Sequence, residues 1–296
     1  MRLLTPILLF TLLLSACNNS KKDFDATGTF ESTEITISSE VAGKIINLDI
    51  EEGDSVKALS LVGTIDSTQL YLSKLQLKKN ASSIRSNRPA IATQIATIRN
   101  QIAKQVTERK RIENLLDAKA ATQKQLDDIN SSITILESQL SAQLSTLNNS
   151  VSSIDAQSSA VDIQVAQIDD KINKCNIISP VSGTILNKYV ETGELASPGQ
   201  PIFKVADMTN IFLRAYVTSD QLSKIKLQQS VKVFADFGGD NLKEYNGHIT
   251  WISDKSEFTP KSIQTRDERA NLVYAIKIAV KNDGIIKLGM YGEVQF

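Results

Sequence analysis

The chain has 296 residues, of which 41% are hydrophobic and 5% aromatic, and its 33 basic residues balance its 33 acidic ones. This length allows two or three small domains with apolar cores. The balanced charge provides no general attraction to nucleic acid or to an anionic membrane surface. Few aromatic residues and long helical patterns are more typical of an elongated protein than of a large globule.

The first sixteen residues have the pattern of a signal peptide. Arg2 precedes an apolar run from Leu3 to Leu14, which is too short to span a bilayer well. The sequence Leu14-Ser-Ala-Cys17 resembles a bacterial lipobox, in which the cysteine is lipidated and becomes the first mature residue. We therefore predict a signal peptide over 1–16 and a tether over 17–27 that is anchored through a lipid on Cys17. An ordinary secretory signal followed by a chance cysteine is the alternative.

Two segments of the chain repeat each other at a constant offset of 140 positions. The matched pairs are Val41–Val181, Gly43–Gly183, Ile45–Ile185, Asn47–Asn187, Glu51–Glu191, Gly53–Gly193 and Ile65–Val205. Each copy consists of short apolar runs separated by glycine turns, which predicts short strands. Neither copy can bury a core alone. We therefore expect them to dock with pseudo-two-fold symmetry as a flattened β-sandwich, with its halves at 39–67 and 176–206.

The residues between the two copies carry a coiled-coil pattern. From Leu126 to Cys175, apolar residues recur at three–four spacing for about seven heptads, and Ser158 is the one polar residue in this series. The upstream partner series is Leu70, Leu77, Ile84, Ile91, Ile95, Ile98, Ile102, Val106, Ile112 and Leu116. Because proline interrupts helical hydrogen bonding, we expect a kink or short break near Asn87–Pro89. The pattern predicts an antiparallel helical hairpin over 68–175.

The tip of this hairpin is predicted at about 114–122. Thr122 followed by Gln125 is a plausible capping box that opens the second arm. A hairpin this long suggests that its tip must reach another molecule. A spacer or dimerisation rod that needs no partner at its tip is the alternative.

A second β region follows the second repeat. The alternating segments are Ile211–Val217, Ser230–Ala235, His248–Ser253, Val273–Val280 and Gly292–Phe296, and a short helix is possible between Thr218 and Leu227. With Thr27–Ile37 as a further strand, these make about six strands, the number expected of a small barrel. We predict this β-barrel over 207–296, with its first strand at 28–38.

The split pair of lipoyl-like halves, the inserted coiled coil and the following barrel resemble the HlyD-type membrane fusion proteins. These are periplasmic adaptor subunits of tripartite efflux and secretion systems. The resemblance covers nearly the whole mature chain, and its most specific local matches are Pro180-Val-Ser-Gly-Thr-Ile and Val190-Glu-Thr-Gly-Glu. The stretch Phe258–Ile278, together with Leu288-Gly-Met-Tyr-Gly-Glu-Val, looks like the barrel end of adaptors that serve ABC-type exporters.

The resemblance implies an elongated α+β protein with a split lipoyl-like β-sandwich, an inserted antiparallel coiled-coil hairpin and a small β-barrel. It implies an adaptor that links an inner-membrane exporter, of ABC type, to a TolC-like outer-membrane channel. Such an adaptor would be a homo-oligomeric ring in the periplasm, held by its lipid at the inner membrane of a Gram-negative bacterium. The alternative is a structural envelope lipoprotein whose coiled coil acts as a spacer or dimerisation rod.

In family members that dock on such a channel, the hairpin tip carries Arg, then Leu four residues later, then Ser seven residues further. Arg111, Leu115 and Thr122 have this spacing here, with Thr in place of Ser. The resemblance therefore implies that these three residues contact the channel. An ordinary solvated charge at Arg111 and a seam residue at Leu115 are the alternatives.

Residues for catalysis or cofactor attachment are not recognisable in the sequence. Lys44 and Lys188 lack the context of a biotin or lipoate attachment lysine, because the hairpin separates the two halves. His248, the only histidine, lies in a predicted strand without a cluster of cysteines or carboxylates. Neither a Ser–His–Asp set nor a phosphate-binding glycine loop is recognisable. We predict that the protein is not an enzyme and that it needs no cofactor or metal.

Overall fold

The computed structural model describes residues 24–238, 241–257 and 272–296. The helices are α1 (Thr68–Ser86), α2 (Ile91–Asp117), α3 (Gln123–Lys174) and α4 (Ser219–Leu222). The strands are β1 (Ala26–Glu31), β2 (Glu34–Ser38), β3 (Gly43–Leu48), β4 (Ser55–Val56), β5 (Leu61–Ile65), β6 (Asn176–Ile178), β7 (Gly183–Lys188), β8 (Leu195–Ala196), β9 (Pro201–Ala206), β10 (Asn210–Thr218), β11 (Ser230–Asp236), β12 (Leu242–Glu257), β13 (Val273–Lys281) and β14 (Tyr291–Gln295).

The two copies of the repeat build one β-sandwich. Its sheets have the strand orders β2-β9-β7-β4 and β6-β5-β3-β8, so each sheet contains strands from both copies. The predicted docking of the two copies is therefore confirmed. Their apolar side chains form one buried cluster that includes Val41, Ile45, Leu48, Ile50, Val62, Ile65, Ile177, Ile185, Val190, Ala196, Ile202, Phe203 and Val205. Because the cluster is shared, neither half could bury its apolar residues without the other.

Hydrogen bonds between the halves follow the internal symmetry. The backbone N–H of Gly53 donates to the carbonyl of Ile185, and that of Gly193 donates to the carbonyl of Ile45, both at 2.9 Å. Both glycines have positive φ angles, +96° and +98°, a conformation that other residues adopt only with strain. The repeated glycines therefore form the turns through which each half holds the other.

The hairpin consists of one continuous arm and one interrupted arm. α3 has 52 residues and is about 78 Å long at 1.5 Å per residue. α1 and α2 both pack along α3, and the chain leaves helical conformation between Ser86 and Ile91, which confirms the predicted break. The most deeply buried residues of the seam are Ala81, Ile95, Ile112, Ile133, Leu147, Ser158 and Val161. The predicted antiparallel coiled-coil hairpin is confirmed.

Val106 is wrongly predicted as a member of this seam. Its side chain is 38% exposed, whereas Gln105 is half-buried. The face of α2 that packs on α3 passes through Ile102, Gln105 and Ile112, because the helix turns by 3.6 residues regardless of side-chain chemistry. The apolar character of Val106 was a misleading signal at this turn.

The second β region is a closed six-stranded barrel with the order β1-β10-β13-β12-β11-β14, as predicted. Its core includes Phe30, Leu213, Ala215, Val217, Val233, Ile249, Ile276, Ile278, Ile286 and Val294. The helix between β10 and β11 has only four residues, Ser219–Leu222.

The segment predicted as one barrel strand, 28–38, is two strands in different domains. β1 pairs with β10 and β14 in the barrel, whereas β2 pairs with β9 in the sandwich. Between them the Ser32 hydroxyl donates to the Asp207 carbonyl at 2.7 Å and ties the two linkers together. Both strands are β-prone, and neither Gly nor Pro separates them, so the sequence carried no signal for this boundary.

Candidate functional site

The tip of the hairpin is closed by a tight helix ending. The backbone N–H of Ala120 donates to the Leu115 carbonyl at 2.7 Å, and that of Lys119 donates to the Leu116 carbonyl at 2.9 Å. These two bonds are the pattern of a Schellman motif. Its left-handed position is occupied by Lys119, with φ at +58°. Glycine is the usual residue at this position because it takes the conformation without strain.

α3 begins with the predicted capping box. The Thr122 hydroxyl accepts a hydrogen bond from the backbone N–H of Gln125, and the Gln125 side chain accepts one from the backbone N–H of Thr122 at 2.8 Å. This confirms the capping prediction for Thr122. The two motifs together satisfy exposed backbone groups on both sides of the loop, so the tip is a well-defined turn.

Arg111 lies on α2, six residues before the helix ends. Its guanidinium donates to both carboxylate oxygens of Glu108, through Nε at 2.9 Å and through a second nitrogen. This contact raises the pKa of Arg111 and lowers the pKa of Glu108. The neighbouring Ile112 is buried in the seam. The Arg111 side chain is exposed, and Glu108 restricts its orientation.

Leu115 is half-buried and lies one helical turn beyond Arg111. Residues four apart share a helix face, so the two side chains form one short stripe that leads to the loop. Thr122 begins the opposite helix and is exposed. The structure therefore places all three sequence-predicted residues at one end of the hairpin, with Arg111 and Leu115 on one face.

Lys119 is a tip residue that the sequence reasoning missed. It is exposed and carries a positive charge at the outermost turn. The sequence indicates such a residue only indirectly, because the segment from Asp117 to Thr122 contains neither Gly nor Asn to end α2. A residue other than glycine must therefore take the left-handed conformation.

Ion pairs join the two arms of the hairpin between the sandwich and the tip. The Lys74 ammonium contacts Asp169 near the base. Arg85, at the end of α1, contacts Asp162, and Arg88, within the helix break, contacts Asp155. These groups are partly exposed, so each pair contributes little stability. They join the interrupted arm to α3 before the break and within it, where the coiled-coil seam is discontinuous.

Lys188 forms the main charged cluster of the sandwich. Its ammonium contacts Glu191 at 2.8 Å and Glu51 at 3.1 Å, and its side chain is only 6% exposed. These contacts, led by the one with Glu191, raise the pKa of Lys188. The two glutamates are equivalent positions of the repeat, so a single lysine joins the symmetric turns. This buried, paired ammonium has a structural environment rather than that of an attachment lysine on an exposed turn.

The remaining candidates lie elsewhere. Cys17, the signal peptide and residues 258–271 of the ABC-exporter-like stretch lie outside the described residues. His248 lies on β12 of the barrel, and its side chain is exposed. Within the described ranges, three or more His, Cys, Asp or Glu side chains do not come together in any metal-binding group. Within the same ranges, each helix is too short or too polar to cross a bilayer.

Comparison with known proteins identifies a family. The family model described as RND MFP, barrel-sandwich hybrid domain, where MFP denotes membrane fusion protein, matches residues 33–208. This range contains the sandwich and the whole hairpin.

Solved structures share the fold at low sequence identity. MacA from Actinobacillus actinomycetemcomitans is 20% identical and has a TM-score of 0.56, with 91% of this chain and 76% of that chain covered. A MacA–MexA chimera that contains the Pseudomonas aeruginosa MexA α-hairpin domain is 22% identical with a TM-score of 0.53, covering 91% of this chain and 79% of that one. At these identities the likeness is one of fold.

Proposed function

The chain belongs to the membrane fusion proteins that carry an RND-type barrel-sandwich hybrid domain, and we propose that it links an inner-membrane exporter to a TolC-like outer-membrane channel. The observation that carries this proposal is the hairpin tip. A helix of 52 residues holds a rigid, capped turn far from the sandwich. This end of the hairpin presents an exposed arginine and a half-buried leucine on α2, and an exposed hydroxyl residue at the start of α3.

The residues at the tip suit a small docking contact. The Arg111 guanidinium has donors beyond the two that Glu108 occupies, and these can reach a carboxylate or carbonyl of the channel. Leu115 offers an apolar contact beside it, and Lys119 adds a second cation at the turn. One such contact is weak. Repeated around a ring of adaptor copies, it becomes strong because each bound tip raises the effective concentration of the next.

We propose an ABC-type exporter as the inner-membrane partner. The support is the barrel-end sequence, of which residues 272–278 and 288–294 lie in the described residues, on β13 and on β14 with its preceding turn. The matching family model is named after RND transporters. The experiment must therefore distinguish an ABC-type from an RND-type exporter. Co-purification of the intact protein from membranes, followed by identification of the bound exporter, distinguishes them.

We also propose that Cys17 carries the lipid that holds the protein at the inner membrane. Cys17→Ala would abolish acylation and either release the protein or leave its signal peptide attached. Labelling with a fatty-acid analogue, followed by separation of inner and outer membranes, tests this. An unlabelled wild-type protein that remains on the membrane would contradict it.

The experiment for channel docking compares two arginines on the same helix. Arg111→Asp is expected to abolish crosslinking to the channel and export, while the protein stays folded, anchored and bound to its exporter. Arg99→Asp makes the same charge change on an exposed position of α2, twelve residues and about 18 Å before Arg111, and is expected to dock normally. Full export by Arg111→Asp at normal abundance would contradict docking at the tip and favour the spacer function.

A further inference from the structure

The chain enters the barrel at a fixed point, Asp25. The backbone N–H of Asp25 donates to the Val294 carbonyl at 2.8 Å, and the Asp25 carboxylate accepts a hydrogen bond from the backbone N–H of Phe296 at 2.8 Å. The Asp25 carbonyl also accepts a hydrogen bond from the Gln221 side chain. These bonds hold Asp25 between the end of β14 and the short helix α4.

Asp25 lies at one end of the barrel, and the linkers to the sandwich lie at the other end. β1 starts next to Asp25 and ends next to Ser32, whose hydroxyl contacts the carbonyl of Asp207 in the second linker. The antiparallel strand β10 starts just after Asp207 and ends directly before α4. The barrel end that carries Asp25 and α4 is therefore opposite to the sandwich.

The segment that follows α4 closes this end of the barrel. Residues 223–229 connect α4 to β11, and we call this segment the end loop. Ile225 is buried in the barrel core, whereas Lys224 and Lys226 on either side of it are exposed and Leu227 is 60% exposed. Among the ion pairs that the described residues form with one another, none involves Lys224 or Lys226. The end loop thus presents two cations and one aliphatic side chain to its surroundings.

Hydrogen bonds tie the end loop to the barrel on both sides of Leu227. The backbone N–H of Lys224 donates to the Gln221 carbonyl at 2.9 Å, and that of Gln228 donates to the Ile249 carbonyl at 2.8 Å. Gln228 has φ at +66°, a left-handed conformation that is strained in residues other than glycine. The backbone is therefore held in place while the Leu227 side chain stays outside the core.

The proposed lipid anchor is connected to this end of the barrel by a short tether. Cys17 precedes Phe24 by seven residues, and seven residues span about 25 Å at most when fully extended. The Phe24 ring packs against Phe234 with the ring centroids 5.3 Å apart. A lipid on Cys17 therefore keeps Phe24 and the adjoining Asp25 within about 25 Å of a bilayer surface. The end loop lies in the same region, because Gln221 contacts Asp25.

We propose that the end loop binds anionic phospholipid headgroups of the membrane that holds the anchor, and this inference rests on the proposed lipid at Cys17. Lys224 and Lys226 contact the headgroup phosphates, and Leu227 enters the boundary between headgroups and acyl chains. The chain as a whole has no net charge, so this attraction is local to the end loop.

The size and charge of the end loop fit a lipid surface better than a protein partner. Two lysines and one leucine are far less than the roughly 800 Å² that each partner buries in a stable protein complex. Asp220 on α4 is the only acidic residue between Ser219 and Gln229, so the contact is weakly cationic. A weak contact suffices at the bilayer because the tether keeps the loop at a high effective concentration there. A lipid chain and a basic patch bind an anionic membrane more stably together than either does alone.

The experiment places a polarity-sensitive fluorophore on the end loop of the full-length, acylated protein through Leu227→Cys. Burial raises the pKa of the Cys175 thiol, so that residue reacts slowly with the label. The control position is Leu59, which is 82% exposed in a turn of the sandwich with φ at +62°. In vesicles of phosphatidylcholine with phosphatidylglycerol, we expect the fluorophore at 227 to be at least about threefold better shielded from an aqueous quencher than in phosphatidylcholine alone. The fluorophore at Leu59→Cys should stay accessible in both.

Charge reversal in the labelled protein tests the two lysines. Lys224→Glu with Lys226→Glu should remove most of the shielding, since an anionic bilayer then repels the end loop. Lys281→Glu with Lys287→Glu makes the same charge change at exposed positions near the sandwich end of the barrel and should retain the shielding. Because all four side chains are exposed, both double variants should melt like the unsubstituted protein.

Each outcome decides for or against the end loop as a lipid contact. An acylated protein whose fluorophore at 227 stays accessible would overturn the inference, and so would shielding that survives reversal of both lysines. Shielding that appears only after an exporter is added to the vesicles would also contradict it, because a protein then covers the loop.

The test is separable from the proposed anchor and from channel docking. Fatty-acid labelling of the same preparation reports the anchor, so a wild type without lipid would contradict both proposals. An acylated protein without shielding would contradict only the present one. Arg111→Asp should keep the shielding, so failure of channel docking in that variant leaves the end-loop contact standing.

Discussion

Ser39 and Ser179, which are equivalent positions of the repeat, make the same buried hydrogen bond in the two halves of the sandwich. The Ser39 hydroxyl donates to the Val41 carbonyl at 2.6 Å, and the Ser179 hydroxyl donates to the Val181 carbonyl at 2.8 Å. Both serines are almost completely buried. Each hydroxyl satisfies a carbonyl next to the turn that enters β3 or β7, where strand pairing has not yet begun.

We expect Ser39→Ala and Ser179→Ala to destabilise the sandwich by similar amounts, about 1 kcal/mol each, because each leaves a buried carbonyl without its donor. Chemical denaturation of the two single variants and the double variant tests this. Clearly unequal losses of unfolding free energy in the two single variants would contradict this prediction.

The seam prediction can be tested with two isoleucines of α3 that are two residues apart. Ile133 is 5% exposed and Ile135 is 59% exposed. Ile133→Asp should destabilise the hairpin by at least about 3 kcal/mol, because it buries an unpaired carboxylate. Ile135→Asp should be nearly neutral. Helical circular dichroism on heating measures both, and equal melting of the two variants would contradict the observed seam.

The left-handed residue at the tip gives a prediction about stability and function. Lys119→Gly should stabilise the hairpin by about 1 kcal/mol, since glycine takes the positive φ without strain. If the Lys119 charge contributes to docking, the same variant should bind the channel more weakly despite its greater stability. Thermal melting and channel crosslinking of one protein preparation measure both effects. A destabilised Lys119→Gly variant would contradict the strain at this turn.

We expect Glu293 to make the stability of the barrel depend on pH. Its Oε2 atom is buried, and within the described part of the chain it has no hydrogen-bond partner. Burial, and then the charge of Asp236, raise its pKa. Because this pKa is higher in the folded than in the unfolded state, the contribution of Glu293 to folding stability is complete below the unfolded pKa, about 4.3. That contribution is lost as the pH rises through the folded pKa.

Glu293→Gln removes this dependence. We expect the variant to exceed the wild type in stability by about 1 kcal/mol at pH 7, because the buried ionised oxygen is no longer present. The difference should vanish near pH 4. Denaturation of both proteins from about pH 4 to pH 7 tests the sign of this difference in stability. A variant that is less stable than the wild type at pH 7 would contradict the prediction.

Much of the architecture was predictable from local patterns. The 140-residue offset predicted the two docked halves, and the three–four spacing predicted the long arm that α3 forms. The proline near residue 89 predicted the helix break, and Thr122 with Gln125 predicted the cap. These features depend on residues close in sequence or on repetition at a constant offset, so they are visible without the fold.

Other features were decided only by the tertiary structure. The division between β1 and β2 depends on which strands lie beside them, because both have the same β-prone composition. The partial burial of Gln105 in place of Val106 depends on the rotation of α2 against α3.

The same holds for the strained Leu59 and Lys119 turns. Neither leucine nor lysine indicates a left-handed backbone. The conformation is imposed at Leu59 by the hydrogen bond to Ser179, more than 100 positions away in the chain, and at Lys119 by the geometry that closes α2. The sequence by itself thus determined the repeat, the two arms and the cap at Thr122, because each is a pattern that is visible along the chain. Long-range contacts decided the domain boundary, the seam register and the strained turn at Leu59, whereas the strained turn at Lys119 follows from the bonds that close α2.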